Sequence, residues 1–467
     1  MRILIINVSL RPYLREKLLP IGLAYIATAI RNAGFSFEIL DLDAHGHDDA
    51  YVRQYLSDGR FDVVCMGCIV TGYRLIRKYA AMIREASPRA TIIVGNTVAD
   101  SVPHILLSRT EADIAVIGEG DRTIVDLLEV LREGRSLETV KGIAFRTPEG
   151  LVRTEPRPVI RDLSSIPAID YSLWDMDIYI EGFRPIIPWK LLPPTIPQDE
   201  VRGMCINTAR GCVHKCTFCY HVFRGSPYRH RPWDRVLDEI RFLMERYRIN
   251  YFAFFDDLTF NTRRSVLEFI EAIRKSGLEF FWEADCRGDL FTRPEDVGIL
   301  RTARDAGCIR MLYSLESADP GILRSMGKRI TPEQFSYQSR LFKEAGLSIG
   351  TSLVFGFPGE TPETIRKTID CCIENGVYPS PGFLLPLPGS PMYQWVLDHG
   401  FIGDEEEYLL KLGDRQDLRI NITGMTDEEF TSVLHRELRR ANKALGAGLG
   451  DDQLLKTQPR NKEGSTG

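Results

Sequence analysis

Three cysteines share one short run of this chain, Arg-Gly-Cys-Val-His-Lys-Cys-Thr-Phe-Cys-Tyr, over residues 210–220. The spacing CxxxCxxC places the thiolates of Cys212, Cys216 and Cys219 on a single loop. Three thiolates on one loop can hold three corners of a cubane 4Fe-4S cluster. No fourth cysteine follows at ferredoxin spacing, so the fourth iron is free to bind another molecule. An open iron indicates chemistry at the cluster beyond electron storage.

A zinc site is the alternative interpretation of this run. Zinc takes four tetrahedral nitrogen or sulfur ligands, commonly from paired CxxC elements, and Cys205, His214 or His221 could supply the fourth. No second CxxC follows at the spacing of a zinc finger, which disfavours zinc. The pair Cys65 and Cys68 lies far upstream, where a cysteine usually serves as a small apolar filler.

The composition excludes several classes of protein. A chain of 467 residues is long enough for two or three domains. A net charge of −5, with both signs interspersed, argues against a surface that neutralises phosphates, so nucleic acid is not the expected substrate. The amino-terminal apolar run is too short for a signal peptide, and no stretch is long enough to span a membrane. Ten cysteines without a pairing pattern fit the reducing cytoplasm, the expected location.

Residues 1–140 alternate short apolar strands with amphipathic helices. This alternation predicts a doubly wound parallel sheet, which binds ligands beyond the carboxyl ends of its strands. The predicted strands span residues 2–8, 36–42, 63–67, 91–95 and 114–117, and the clearest helices span 23–33 and 74–86.

A connector rich in proline and aromatic residues follows over residues 141–200. Its prolines, dense over 185–197, exclude a regular helix. A structural linker is the favoured interpretation, and a flap that covers the substrate is the alternative.

Six strand-helix repeats over residues 201–395 predict a partial parallel barrel, (βα)6. Active sites of parallel barrels lie at the carboxyl ends of the strands, and the cysteine loop follows the first of them. The predicted strands span residues 204–208, 251–256, 280–285, 309–316, 348–355 and 377–385, and the helices span 233–247, 264–276, 294–306, 332–345 and 362–375. Residues 396–467 form a small helical, charged region with a helix over 426–445 and a disordered tail over 451–467.

The cysteine spacing, with Phe218 directly before the last cysteine, resembles the hallmark of the radical S-adenosylmethionine (SAM) enzymes. Their fold is such a partial barrel. The resemblance implies that Cys212, Cys216 and Cys219 bind the cluster and that SAM chelates the open iron through its amino and carboxylate groups.

The resemblance also implies which strand-end residues bind SAM. Asp256 and Asp257 would accept from the methionyl amino group, and the alternative is a carboxylate that caps the helix beginning near Thr262. Phe218 and Tyr220 flank Cys219 beside the same site.

The next three strands end in further polar or glycine-bearing segments. Arg287 would pair with the SAM carboxylate, Glu316 and Ser317 would lie near its ribose or amino-acid moiety, and Gly356 would let adenine approach the backbone. An ion pair between Arg287 and Glu316 is the competing explanation. Tyr220, Trp282 and Tyr313 could line a substrate pocket, although aromatic residues near barrel strands usually belong to the core.

The amino-terminal sheet resembles the cobalamin-binding domain that precedes the barrel in one branch of this family. Val-Gly-Asn after strand four and Ile-Gly-Glu-Gly-Asp after strand five match it in order, and a corrin close to the backbone requires glycine there. The alternative for the second segment is an ordinary turn. The implied cobalamin contacts are Gly95, Asn96, Gly118, Glu119 and Gly120.

Two departures from the cobalamin pattern stand out. The loop over residues 10–19 lacks the histidine of the DxHxxG motif, and His45 and His47, which follow strand two, are predicted to be surface residues. Asn96 replaces the usual second glycine. We therefore expect cobalamin without a protein histidine ligand, with Thr71 and Tyr73 facing the cobalt.

The resemblance implies a cobalamin-dependent radical SAM methyltransferase. Such an enzyme moves a methyl group to an unactivated carbon of a small-molecule substrate, such as a natural product, through a 5′-deoxyadenosyl radical and methylcobalamin. An electron donor such as flavodoxin or ferredoxin would reduce the cluster.

Other outcomes stay open at this point. A cobalamin-dependent cyclase or rearrangement enzyme would carry the same cofactors, and a non-catalytic iron-sulfur sensor or scaffold would carry the cluster alone. Methylthiotransfer to RNA is disfavoured, because it requires a second set of three cysteines in the first domain, where only Cys65 and Cys68 lie.

Overall fold

A computed structural model describes residues 1–194 and 196–455. The first unit contains a seven-stranded sheet with strand order β2-β1-β3-β4-β5-β6-β7, in which β1 to β5 are parallel and β6 and β7 antiparallel. Its strands are Ile3–Asn7 (β1), Phe37–Asp41 (β2), Val63–Gly67 (β3), Thr91–Gly95 (β4), Ile114–Val116 (β5), Ile143–Thr147 (β6) and Gly150–Arg153 (β7). Its helices are Ile21–Asn32 (α1), Leu42–His45 (α2), Asp49–Gly59 (α3), Tyr73–Ala86 (α4), Thr97–Ser101 (α5), Pro103–Arg109 (α6) and Gly120–Glu133 (α7).

The order of the first five strands, 2-1-3-4-5, is that of a doubly wound sheet with its switch point between β1 and β3. Every residue of β1 is buried, as expected for a central strand covered by helices on both faces. Ligands of such sheets bind beyond the carboxyl ends at the switch point, which lies beside the loops after β1 and β3. The antiparallel strands β6 and β7 extend this sheet beyond residue 140.

The connector contains one regular helix, Met176–Phe183 (α8), which the sequence did not predict. It ends at Phe183, two residues before Pro185, and the described residues of the proline-dense run form only short 3-10 turns. The buried Tyr179 donates a hydrogen bond of 2.6 Å to Asp41 at the end of β2. Phe183 lies 6.2 Å from Tyr251, between ring centroids, so the connector packs against both units.

The second unit is a partial barrel. Five parallel strands form a sheet in the order β14-β13-β12-β11-β8, and β15 and β16 form a separate parallel pair. The barrel strands are Gly203–Ile206 (β8), Tyr251–Phe254 (β11), Phe281–Asp285 (β12), Cys308–Leu312 (β13), Ser348–Gly350 (β14), Leu353–Phe355 (β15) and Pro381–Phe383 (β16). Two short strands, Ala209–Arg210 (β9) and Arg229–His230 (β10), pair as a hairpin. The helices are Trp233–Tyr247 (α9), Arg263–Ser276 (α10), Asp296–Asp305 (α11), Pro320–Ser325 (α12), Pro332–Glu344 (α13), Pro362–Glu374 (α14), Pro391–Asp398 (α15), Glu405–Lys411 (α16) and Asp427–Leu445 (α17).

The last three predicted barrel strands differ most from the prediction. The fourth ends at Leu312, and Glu316 has a φ of +65°, a left-handed conformation that a strand does not contain. The fifth is interrupted after Gly350, although a parallel bridge between Glu316 and Leu353 keeps β15 beside the barrel. The sixth is limited to Pro381–Phe383, since proline cannot donate to a strand ladder.

Side-chain alternation shows which residues of β12 face the barrel interior. Trp282 is fully buried against the helices, with its ring centroid 5.2 Å from that of Phe269 on α10. Because successive side chains point to opposite faces, Glu283 and Asp285 face the interior. Glu283 forms an ion pair with Arg310, its registered neighbour on β13. The barrel interior is therefore polar up to the carboxyl end of β12.

The carboxyl-terminal region packs on the barrel through α17. Leu454 is fully buried and Asp451–Gln453 forms a 3-10 turn, so the prediction of disorder does not hold for residues 451–455. The rest of that predicted tail, 456–467, lies outside the described residues. No helix in the described part of the chain is long and apolar enough to cross a membrane. The predicted fold class, a doubly wound sheet followed by a partial parallel barrel and a small helical region, is confirmed.

Candidate active site at the cysteine loop

The cysteine loop lies at the carboxyl end of β8, between the two strands of the β9–β10 hairpin. Cys216 is buried, and Cys212 and Cys219 are half-buried. Burial raises the pKa of each thiol, and a neighbouring cysteine raises the pKa of Cys212 and of Cys219 further. Metal binding must therefore displace the protons of all three thiols.

Backbone hydrogen bonds fix the shape of the loop. Arg224 donates through Nη1 to the carbonyl oxygens of Cys216 and Cys219, both at 2.9 Å. The amide of Thr217 donates to the carbonyl of Met326 at 2.8 Å, and the Thr217 carbonyl accepts from the amide of Met392 at 2.9 Å. These contacts hold the main chain and leave the thiols free for a cluster.

We expect Arg224→Ala to lower iron incorporation several-fold, because it frees two carbonyls that set the cysteine geometry. The measurement is iron and sulfide content after anaerobic reconstitution. Arg241→Ala is the matched control, since Arg241 lies on the surface of α9, where it forms an ion pair with Asp238 at 3.9 Å. Equal iron content in both variants and the wild type would show that the carbonyl contacts do not shape the loop.

The zinc alternative fits the arrangement poorly. Cys205 is buried in the core, and burial raises the pKa of its thiol to about 12. Nδ1 of His221 lies 3.2 Å from Asp257. Tetrahedral zinc would hold sulfur atoms about 3.8 Å apart, whereas a cubane cluster binds each cysteine at a different iron.

Asp256 is already fully hydrogen-bonded by the protein. Its Oδ1 accepts from the amides of Thr208 at 2.8 Å and Ala209 at 2.9 Å, and its Oδ2 accepts from the hydroxyls of Thr208 and Thr259 at 2.6 and 2.9 Å. It caps no helix, since Thr262 caps α10 itself. Asp256 therefore ties β8 to β11, which differs from its predicted role as a SAM contact.

Two other carboxylates remain available at neighbouring strand ends. Asp257 lies beside His221; burial raises its pKa, and His221 lowers it. Asp285 makes no side-chain hydrogen bond or ion pair within the described residues, and its side chain is partly accessible at the barrel mouth. Burial first, then repulsion from Asp256 and Glu283, raises the pKa of Asp285 to about 8. The sequence analysis did not single out Asp285.

The alternative to a SAM contact, an ion pair between Arg287 and Glu316, does not form. Arg287 binds Asp289 through two hydrogen bonds of 2.8 and 2.7 Å. Glu316, 5% exposed, accepts from Nζ of Lys328 at 3.0 Å through Oε1. Its Oε2 is buried and has no hydrogen-bond partner in the described part of the chain. The left-handed backbone of Glu316 turns this carboxylate away from the strand direction.

The remaining predicted SAM residues lie close to the same strand ends. Phe218 packs edge-on against Phe357, with ring centroids 5.9 Å apart. Ser317 is buried, and its hydroxyl accepts from the amide of Asp319 at 3.1 Å, which indicates a structural role. Gly356 has a φ of +106°, a conformation that favours glycine, and its amide donates to the buried Glu360 at 2.6 Å.

Two aromatic candidates for the substrate pocket lie in the core instead. Trp282 is fully buried and its indole donates to the Ala306 carbonyl at 2.8 Å. Tyr313 is 2% exposed and its hydroxyl lies 3.0 Å from that of Ser339.

The predicted cobalamin residues divide into two groups. Gly95 and Gly118 leave open space, since no atom lies within 4 Å of a side-chain carbon added at either position. Asn96 has a φ of +68° and caps α5. Gly120 packs against Ile26, and a side-chain carbon there would lie 2.9 Å from it. The backbone at the carboxyl ends of β4 and β5 is thus accessible, as a bound corrin requires.

Glu119, Tyr220 and Tyr73 bind other protein residues. Glu119 accepts from Arg229 at 2.9 Å, and Tyr220 donates to Asp100 on α5. Tyr73 is fully buried and donates to Glu406 at 2.9 Å, so it does not face a cobalt site.

Thr71 lies partly accessible in a 3-10 turn after β3, beside the switch point, as its predicted role requires. His45 is exposed and His47 stacks on Tyr51 at 3.8 Å, so neither is part of the site. Cys65 and Cys68 are buried in the core, as predicted for small apolar fillers.

Sequence reasoning missed Lys328, Arg224 and Asp100 as well as Asp285. Lys328 and Arg224 lie in loops after α12 and after the cysteines, where basic residues are normally solvated. Asp100 lies in the short helix α5, where its sequence context indicates no functional role. Of these four residues, only Asp285 could have been identified as a site residue from the sequence, because it lies at a predicted strand end close to Arg287.

The chain matches two family models. The model for the radical SAM superfamily covers residues 206–372, and the model for the B12 binding domain covers residues 13–128.

Two curated relatives and one solved structure show the similarity over most of the chain. An uncharacterized methyltransferase of Pyrococcus horikoshii is 27% identical over 82% of this chain and 79% of its own. The anaerobic magnesium-protoporphyrin IX monomethyl ester cyclase of Rubrivivax gelatinosus is 26% identical over 83% and 68%. The radical SAM methyltransferase TsrM of Kitasatospora setae, solved with tryptophan and a SAM analogue, shares the fold with a TM-score of 0.66, 21% identity and coverage of 85% and 76%.

The two matched families occupy the two units that the sequence predicted, in the predicted order. Their cofactors are those predicted from the cysteine run and from the glycine-bearing strand ends. The chain belongs to the cobalamin-dependent radical SAM enzymes.

Proposed function

We propose that this enzyme methylates an unactivated carbon of a small molecule. The observation that carries the proposal is the direct contact between the cysteine loop and the strand-end loops of the B12-binding unit. Tyr220, next to Cys219, donates to Asp100, whose other oxygen accepts from the amide of Gly118 at 2.9 Å. The candidate sites for the two cofactors therefore border one space.

The chain's own residues fit the cofactors of the family. When bound, the reduced cluster and SAM supply a 5′-deoxyadenosyl radical, and cobalamin supplies the methyl group. Cys212, Cys216 and Cys219 would hold the cluster. The open backbone at Gly95 and Gly118 would accommodate the corrin.

The polar groups that remain at the strand ends would hold SAM. The unpaired oxygen of Glu316 and the free carboxylate of Asp285 would accept hydrogen bonds from its amino group or ribose. Asp257 and His221 lie beside the loop as further polar contacts. With Asp256 fully bonded to the protein, Asp285 is the stronger candidate acceptor for the amino group.

The burial of Asp285 can be tested in the protein without cofactors, because it makes the free energy of unfolding depend on pH. Because its pKa is raised to about 8 in the folded state, the folded protein holds a proton that the unfolded chain releases near pH 4. Stability linked to Asp285 is therefore present below pH 4 and is lost as the pH rises through 8. We expect Asp285→Asn to be more stable than the wild type by on the order of 2 kcal/mol at pH 8 and by little at pH 4.

The measurement is urea unfolding of both proteins at the two pH values. The same variant should bind SAM several-fold more weakly once reconstituted. A stability difference that does not change with pH would contradict the burial of an unpaired carboxyl at this position.

A cyclase or rearrangement enzyme is the second candidate, because the Rubrivivax relative carries a cyclase name at nearly the same identity as the methyltransferase relative. Both candidates need the same cofactors. They differ in whether the methyl group of SAM reaches cobalamin.

Further features of the enzyme are part of the proposal. The cluster would be reduced by a donor such as flavodoxin or ferredoxin in the cytoplasm. A net charge of −5 supports a small-molecule substrate over nucleic acid. The proposed units are residues 1–140, 141–200, 201–395 and 396–467, with β6 and β7 of the second range completing the sheet of the first unit.

The first test of the proposal is metal and corrinoid content after anaerobic reconstitution with iron, sulfide and hydroxocobalamin, followed by desalting. We expect about four irons and about one cobalt per chain. Iron without cobalt would overturn the methyltransferase proposal and leave the radical SAM assignment intact.

A further inference from the structure

Acidic side chains at the carboxyl edge of the first sheet contact the barrel. Asp100 on α5 uses one oxygen for the amide of Gly118 and the other for the hydroxyl of Tyr220. Gly118 precedes α7, and Tyr220 directly follows the last cysteine. One carboxylate therefore joins two strand-end loops of the first unit to the cysteine loop of the second.

A second connection lies at the two ends of the cysteine loop. Arg210 donates two hydrogen bonds to Asp121, at 2.8 and 2.9 Å, and a third to Glu119 at 2.9 Å. Arg229 contacts both oxygens of Glu119 at 2.9 Å and the carbonyl of Ile160 at 2.7 Å. The side chains of Glu119 and Arg229 are 4% and 7% exposed, so this network is shielded from solvent.

The two arginines of this network lie at the start and the end of the cysteine loop. Arg210 and Arg229 are paired neighbours on β9 and β10, the strands that enter and leave the cysteine loop. Tyr220 lies within the segment between them. The loop is thus attached to the first unit at its entry, at its exit and beside Cys219.

We propose that Tyr220, Asp100 and the ion-pair network of Arg210, Arg229, Glu119 and Asp121 form an interdomain clamp, which positions the cysteine loop against the strand ends of the B12-binding unit. Tyr220 and Glu119 are positioning residues rather than contacts of SAM or cobalamin. The inference rests on the proposed function, since it assigns the clamp to the spacing between the two cofactors.

Tyr220→Phe tests the clamp because it removes one hydroxyl and keeps the ring that packs on Gly389. Tyr55→Phe is the matched control, since Tyr55 also donates to a carboxylate, Glu38, at 2.9 Å, but within the first unit. Asp100→Asn is the second variant, which keeps the size of the side chain and removes its charge.

Two readouts follow, both in the reconstituted full chain. Hydrogen exchange should rise several-fold at residues 97–101 and 118–121 in the Tyr220 and Asp100 variants and stay unchanged in the Tyr55 variant. In the electron paramagnetic resonance spectrum of these variants, the splitting from dipolar coupling between the reduced cluster and cob(II)alamin should broaden. Iron content, cobalt content and SAM affinity should stay at wild-type values.

The possible results test the clamp and the proposed function independently of each other. Unchanged exchange at residues 97–101 and 118–121 would overturn the clamp, whatever cofactors are bound. A Tyr220 variant with full iron content and strongly weakened SAM binding would also overturn it, because Tyr220 would then be a direct SAM contact. A wild-type protein without cobalt would overturn the proposed function, and the exchange data would still decide on the clamp.

Discussion

Replacing Cys212, Cys216 or Cys219 by alanine should abolish reductive cleavage of SAM. Each cysteine is the expected ligand of a different iron, and the described residues beside the loop offer no further cysteine in its place. The backbone contacts of Arg224 and Thr217 do not involve the thiols, so the fold should survive the substitution. The loss is expected to exceed a hundredfold in 5′-deoxyadenosine formed per chain.

The measurement is 5′-deoxyadenosine released from SAM with dithionite as the reductant, together with iron content and the absorbance of the cluster. Cys371→Ala is the control, because Cys371 is a free cysteine on the helix α14 and does not belong to the cysteine loop. A Cys216 variant with wild-type iron content and cleavage would refute the cluster assignment. So would an equal loss in the Cys371 variant.

Lys328→Met should destabilise the protein by about 3–5 kcal/mol, the usual cost of removing one partner from a buried ion pair. The side chains of Lys328 and Glu316 are 15% and 7% exposed, and Lys328 is the partner of Oε1, while Oε2 has no hydrogen-bond partner among the described residues. Burial lowers the pKa of Lys328, but Glu316 and then Cys216 raise it to a net value above the ordinary one. Lysine is therefore charged at neutral pH, and its loss leaves an uncompensated carboxylate.

Urea unfolding of the protein without cofactors measures this cost. The double variant Glu316→Gln with Lys328→Met should recover a large part of it, because no buried charge remains. Lys367→Met is the matched control, since Lys367 pairs with Asp319 at 3.4 Å on the surface and should cost less than about 1 kcal/mol. A Lys328 variant no less stable than the Lys367 variant would contradict the buried pair.

The strands and the cysteine loop could be predicted because their signals are local. Apolar runs such as Val63–Gly67 and Thr91–Gly95 were predicted to the residue, and the cysteine spacing alone indicated a cluster. Strand ends were less predictable where backbone geometry decides them. The apolar pattern continues through Leu315 and predicted a strand up to Glu316. Glu316 has a left-handed φ, which an apolar pattern does not reveal.

The roles of individual polar residues depended on partners distant in sequence. Asp256 could be placed at a strand end, but the Thr208 hydroxyl that donates to it lies 48 positions earlier, in the loop after β8. Tyr73 was expected at the cobalt because the sequence cannot show that Glu406, more than 300 positions away, takes its hydroxyl. Glu119 and Tyr220 were likewise placed in the correct loops, although the structure pairs them with residues of the other unit.

The most direct measurement of the central claim is transfer of a labelled methyl group from SAM to cobalamin, because it needs no knowledge of the final substrate. The reconstituted enzyme would be reduced anaerobically, supplied with SAM deuterated in its methyl group, and its corrinoid analysed by mass spectrometry. We predict labelled methylcobalamin, with S-adenosylhomocysteine formed in step. A holoenzyme that contains iron and cobalt and releases 5′-deoxyadenosine, yet never labels its cobalamin, would contradict the methyltransferase and favour the cyclase or rearrangement enzyme.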